Sequence, residues 1–142
     1  MKQTKSRGFT LIEVLIVVVI ISLLSALALS SYGNYIRKAR RADAKADLLE
    51  LAQLIERNYT ESNSFAVDAA GNAYALEYTT SPQSGRVFYN LQFAAGQPTA
   101  TTYTIRAVPA GSQQKDVSCM TLGLTHTGAK SVSGSGTVAE CW

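Results

Sequence analysis

The sequence predicts an α+β protein. One long N-terminal α-helix, membrane-spanning in its first half, packs on a small antiparallel sheet of three or four strands. Three observations lead there: an apolar run near the N-terminus, a helical apolar stripe that continues past it, and two-residue alternation in the C-terminal part. At 142 residues the chain suits one small domain plus an anchor.

From Phe9 to Leu29 there are 21 residues with a single charge, Glu13. At about 1.5 Å per residue this is roughly 31 Å of helix, close to the hydrocarbon thickness of a bilayer. A carboxylate near the middle of such a span costs about 2.5–3.5 kcal/mol on insertion scales, so Glu13 is read as functional. Ser22, Ser25, Ala26 and Ala28 form a small-residue patch that lets helices approach closely.

No proline occurs between residues 9 and 81, so one helix is expected from Phe9 to about Asn58. Its second half carries an apolar stripe: Tyr32, Tyr35, Ala39, Ala42, Ala46, Leu49 and Ala52, broadened by Leu48, Ile55 and Tyr59. Residues 60–85 read as loop, with Asn63, Gly71-Asn72 and Pro82 as breakers. Strands are expected at Val87–Ala94, Thr101–Val108 and Val117–Leu124, with a short run at Leu76–Thr80. In the second of these Tyr103, Ile105 and Ala107 alternate with Thr102, Thr104 and Arg106, so one face is buried.

The net charge of +3 lies before the span, in Lys2, Lys5 and Arg7; the remainder holds ten basic and ten acidic residues. Bulk nucleic-acid binding therefore gains nothing from net charge. Arg37, Lys38, Arg40, Arg41 and Lys45 cluster just beyond the apolar run and read as a solvated helix face without aromatics between them for base stacking. Cys119 and Cys141 are free thiols in a reducing compartment or a disulfide in an oxidising one, and a chain that crosses a membrane favours the second. The enclosed segment, rich in Gly, Ser and Thr, has little apolar surface to hold it down.

Nothing in the sequence points to catalysis. The single histidine, His126, falls in a turn, and no Cys/His cluster has metal-ligand spacing. Gly134-Ser135-Gly136 lacks the strand–helix context of a phosphate loop. No enzyme activity, cofactor or metal is expected.

Three readings fit the N-terminus: a cleaved secretory signal ending at Ala26-Leu27-Ala28, a simple signal anchor, or a leader cut ahead of a retained helix. Lys5 to Ile21, with Gly8, Phe9 and Glu13 as the fifth residue counted from Phe9, resembles the class III signal of type IV prepilins and type II secretion pseudopilins. The resemblance implies that prepilin peptidase cuts between Gly8 and Phe9 and N-methylates Phe9. Glycine suits the cut, since a backbone without Cβ enters a narrow cleft freely. The cut creates an amine one turn before Glu13, and in a filament the Phe9 amine of one subunit would neutralise Glu13 of its neighbour. The head is similar to minor pilins of the PilE kind, on Glu56-Arg57-Asn58-Tyr59, Asn63-Ser64-Phe65, Cys119-Met120-Thr121-Leu122 and Cys141-Trp142. That implies a ladle-shaped fold in which Cys119 and Cys141 bracket a C-terminal disulfide loop. Many pilins have proline before Ser-Tyr; Ser30 stands there instead, which puts a helix kink near Ser30–Gly33 in doubt.

The expected organisation is a leader at 1–8, a transmembrane and polymerisation helix at 9–31, and a periplasmic head at 32–142, with helix to about 59, loop at 60–85 and sheet from 87. Counting Lys and Arg near the span would put the head in the cytoplasm; the resemblance and the cysteines place it outside. The expected function is a minor pilin of a type IV pilus, serving adhesion, twitching motility or DNA uptake. Its partners are other pilins, prepilin peptidase and the inner-membrane assembly machinery, with nucleic acid reached only through the filament. It is expected in the inner membrane, single-pass with a cytoplasmic N-terminus, before assembly and on the pilus surface afterwards. The rivals are a major pilin, a type II secretion pseudopilin, or an anchored or secreted periplasmic binding domain that never polymerises.

Overall fold

The computed structural model describes residues 8–142, the side chains of 27–31 excepted. Helix α1 spans Leu11–Ser62. It is followed by five strands: β1 Thr80–Ser81, β2 Tyr89–Phe93, β3 Thr104–Pro109, β4 Leu122–Thr125 and β5 Lys130–Val132. A 3-10 turn, Gly111–Lys115, precedes β4, and a four-residue helix α2, Val138–Cys141, follows β5. The chain divides into two compact units between Ile36 and Arg37.

Helix α1 continues unbroken past Ser30 and Gly33. It ends where Asn63 takes a left-handed φ of 54° and its amide donates to the Tyr59 carbonyl at 2.8 Å. Asparagine tolerates that conformation, so it serves as the helix stop four residues later than the sequence reading placed it.

The expected stripe has the right period and the wrong phase. The residues covered by the sheet are Ala44, Leu48, Leu51 and Ile55, all 0% exposed, flanked by Arg41 and Asn58. Ala39, Ala42 and Ala46 face solvent, and Leu49 is 46% exposed. Three alanines mark a spacing but bury little area. Leu48, Leu51 and Ile55 gain about 1.5–3 kcal/mol each on full burial, so they decide which face turns inward.

The five strands form one antiparallel meander in chain order. Tyr89, Leu91, Ile105, Ala107, Leu122 and Leu124 face the core with α1. Arg106 and Thr104 point the other way, as the alternation required. Strand β3 starts later than expected because Thr99 Oγ1 accepts the amides of Thr101 and Thr102 in a local turn. The expected strand at Val117 fails for a similar reason. The amides of Cys119 and Met120 both donate to the Asp116 carbonyl, and Met120 is left-handed, so pairing begins only at Leu122.

Strand β5 was missed by the sequence reading, which gave three or four strands. It lies in the Gly/Ser/Thr-rich segment between the cysteines. Cys119 and Cys141 form a disulfide with a Cα separation of 5.6 Å. The amides of Gly134 and Gly136 donate to the carbonyls of Cys119 and Ser118, and a Cβ on Gly134 would run into the Ser118 backbone. These glycines are there for close backbone approach.

The phase of the stripe is open to a paired test in denaturant. Leu48→Ala should lower the unfolding free energy by about 2–5 kcal/mol, the usual range for a fully buried leucine. Its neighbour Leu49→Ala should cost under about 1 kcal/mol, as expected for a half-exposed side chain. Equal losses would contradict the observed face.

Candidate assembly surface and head-domain network

In the first unit, Gly8, Phe9 and Thr10 precede α1 in non-helical backbone, and Phe9 is 85% exposed. Thr10 and Glu13 form a reciprocal cap. The Thr10 amide donates to Glu13 Oε2 at 3.3 Å, and the Glu13 amide donates to Thr10 Oγ1 at 3.3 Å. This is a capping box, with the acid also at the favourable end of the helix dipole. The local pattern for this cap is Thr10-Leu11-Ile12-Glu13, which the sequence analysis did not single out. In the uncut chain the Phe9 nitrogen is a peptide amide, so the carboxylate is held by Thr10.

Between Leu11 and Leu24 every large apolar side chain is at least half exposed. The serine hydroxyls in and just after this stretch are already engaged. Ser22 donates to the Val19 carbonyl at 2.7 Å and Ser25 to that of Ile21 at 2.8 Å. The helix therefore presents an apolar surface without free donors there. Among the described residues no helix is long and apolar enough to cross a membrane. The span expected at 9–31 runs through side chains 27–31, which lie outside the described residues, as do leader residues 1–7.

In the second unit, the basic cluster does not form the single solvated face that was expected. Arg41 is buried, with Nε 3.5 Å from Asp116 Oδ2 and Nη1 against Cys119 Sγ. Gln113, fully buried, donates from Nε2 toward the Arg37 carbonyl (3.2 Å), Tyr89 Oη (3.0 Å) and Asp116 Oδ2 (3.3 Å). Burial raises the Tyr89 pKa, so the phenol stays protonated in this network. Lys45 donates to the Trp142 carbonyl, and burial, then Arg41 and Lys130, lower its pKa.

Arg40 behaves differently again. Its guanidinium lies 3.7 Å from the Phe88 ring centroid, its Nη1 donates to Ser112 Oγ at 3.0 Å, and Arg86 approaches the same ring at 5.9 Å. Two cations thus lie against one aromatic ring. The missing aromatic is distant in sequence, so no local pattern could reveal it.

His126 is exposed in the turn between β4 and β5, near the rings of Phe65 and Tyr103. Burial, and then the nearby Glu56 carboxylate, raise the Tyr103 pKa.

A helix with an uncovered apolar half, leading into an antiparallel meander closed by a disulfide, defines a pilin-like subunit. Residues 30–123 match the family described as type IV minor pilin ComP, DNA uptake sequence receptor, and residues 3–29 match the prokaryotic N-terminal methylation motif. The chain belongs to the type IV minor pilin family. It is 30% identical over 107 residues to the type IV major pilin protein PilA of Myxococcus xanthus, covering 75% of this chain and 46% of that one. It is 54% identical over 39 residues to prepilin peptidase-dependent protein D of Escherichia coli, covering 28% of this chain and 27% of that one. The chain thus spans less than half the length of these relatives. In fold it is similar to the non-core minor pilin PilV of Neisseria meningitidis, with a TM-score of 0.50 at 20% identity, over 75% of this chain and 94% of that one.

The Arg41–Asp116 pair is the buried charge on which the helix–loop junction rests. Asp116→Ala should destabilise the fold by about 3–5 kcal/mol, because it leaves an uncompensated buried cation. The double variant Arg41→Met/Asp116→Ala should recover much of that loss in the same urea titration.

Proposed function

We propose that this chain is a minor pilin, cut between Gly8 and Phe9 and built into a type IV pilus through the helix segment 9–31. The supporting observation is the apolar surface at Leu11–Leu24, at least half exposed among the described residues, within the matched methylation motif. Burying such side chains is worth about 1.5–3 kcal/mol each. Lipid would supply that burial before assembly, with the chain single-pass in the inner membrane and its N-terminus cytoplasmic. Neighbouring subunits would supply it in the filament, at the cell surface.

Prepilin peptidase would act at Gly8, where even an added Cβ would meet nothing within 4 Å, and would methylate Phe9. The new Phe9 amine would then lie beside Thr10, which already holds Glu13. A neighbour's amine could take over the carboxylate from this cap and so fix the axial stagger of subunits. The chain is read as a structural part rather than an enzyme. Its partners are other pilins, the peptidase and the inner-membrane assembly machinery, and adhesion and twitching motility are roles such a filament supports.

The experiment is to express Glu13→Leu beside the wild type and analyse sheared filaments. The mature wild-type chain should begin at methylated Phe9 by mass. The variant should be processed yet largely missing from filaments. Normal incorporation of the variant, or a mature start elsewhere, would overturn the reading.

DNA uptake is favoured among the roles by the family description and by Arg40 and Arg86 on the Phe88 ring. Replacing both arginines by alanine should weaken duplex DNA binding. It should also flatten the dependence of log K on log salt by about 1.8, for two phosphate contacts. An unchanged slope would remove these residues from the DNA contact.

A further inference from the structure

The outer face of the sheet holds a second site. No strand contains an acidic residue, and the sheet's only charges are Arg106 and Lys130. Lys130 pairs with Leu124 and lies 5.1 Å from the Trp142 ring, so Arg106 is the one charge facing outward. It pairs with Gln92 on β2 and Gly123 on β4, and Gly123 pairs with Ser131 on β5. Directly paired residues share a face, so this row reads Gln92, Arg106, a gap, Ser131. Gly123 leaves its place in the row to the Ser131 hydroxyl, since a Cβ at Gly123 would strike Ser131 Oγ. Arg106, Thr121, Gly123, Ser131, Val132 and Ser133 line a hollow of about 260 Å³.

Its polar groups are free to bind. Arg106 is exposed and has no hydrogen-bond or ion-pair partner among the described residues. Ser133 Oγ accepts the Thr121 amide at 3.1 Å, which leaves its hydrogen to donate outward.

We propose that this hollow binds a carboxylate carried on a small hydroxylated ring, the chemistry of an acidic sugar. The guanidinium fork matches a carboxylate with two parallel hydrogen bonds. One cation with no second beside it balances a monoanion and leaves a phosphate dianion half compensated. Three hydroxyls that both donate and accept suit ring hydroxyls.

The test is an NMR titration of the isotopically labelled full chain in detergent micelles with glucuronate, glucose and inorganic phosphate. Glucuronate should give saturable shifts at Arg106 Nε and at the amides of Gly123, Ser131 and Ser133. Glucose, which lacks the charge, should bind about tenfold more weakly or not at all, the factor for losing one charge-assisted contact, and phosphate, only half compensated by one cation, should also bind more weakly. Arg106→Gln, exposed and so compatible with folding, should abolish the effect. Arg106→Lys, which keeps the charge without the fork, should weaken it about tenfold. The proposal fails if phosphate or glucose binds as well as glucuronate, if Arg106→Gln binds normally, or if no probe saturates.

Discussion

One helix has to satisfy two kinds of surroundings. From Leu11 to Leu24 its large apolar side chains are at least half exposed, and from Ala44 to Ile55 their counterparts are sealed under the sheet. The backbone is the same in both stretches, because every i to i−4 bond is made locally and needs no solvent. What differs is the source of cover. The second stretch finds it in β2 to β4, and the first stays exposed among the described residues.

The head's remaining features serve to fix the sheet on the covered stretch. Hydrophobic burial supplies the attraction but little direction. Direction comes from the buried pair of Arg41 and Asp116 and from Gln113, which together tie α1 to the 3-10 turn and to the disulfide. Such a network costs desolvation and returns geometry. It also uses up charges that would otherwise face water, so what looks like a basic surface in sequence is partly interior.

Much of the architecture was legible beforehand because it rests on periodicity. A proline-free stretch with a 3.6-residue rhythm gave the helix, and Tyr103, Ile105 and Ala107 gave the orientation of β3. The two cysteines, read as a disulfide once the chain crosses a membrane, are paired. The parts that were not legible depend on volume or on distant partners. Ala39, Ala42 and Ala46 keep the helical rhythm but bury too little to set its phase. Strand β5, only three residues long, contains one apolar side chain, Val132, and is held by pairing and glycine contacts. Phe88 reaches Arg40 only through the fold. The Thr10–Glu13 cap, by contrast, is a purely local pattern.

The disulfide has a mechanical meaning for a protein that would work under tension. A meander is weakest at its edge strand, where pairing can be peeled away one residue at a time. Here β5 is that edge, and the bond from Cys119 to Cys141 bridges a sequence separation of 22 residues around it. At about 3.3–3.6 Å per residue, roughly 75 Å of slack is locked out of reach of a pulling load. A grip on the C-terminal edge would therefore pass its force through the covalent staple into the sheet, and the edge could not unzip beyond the staple.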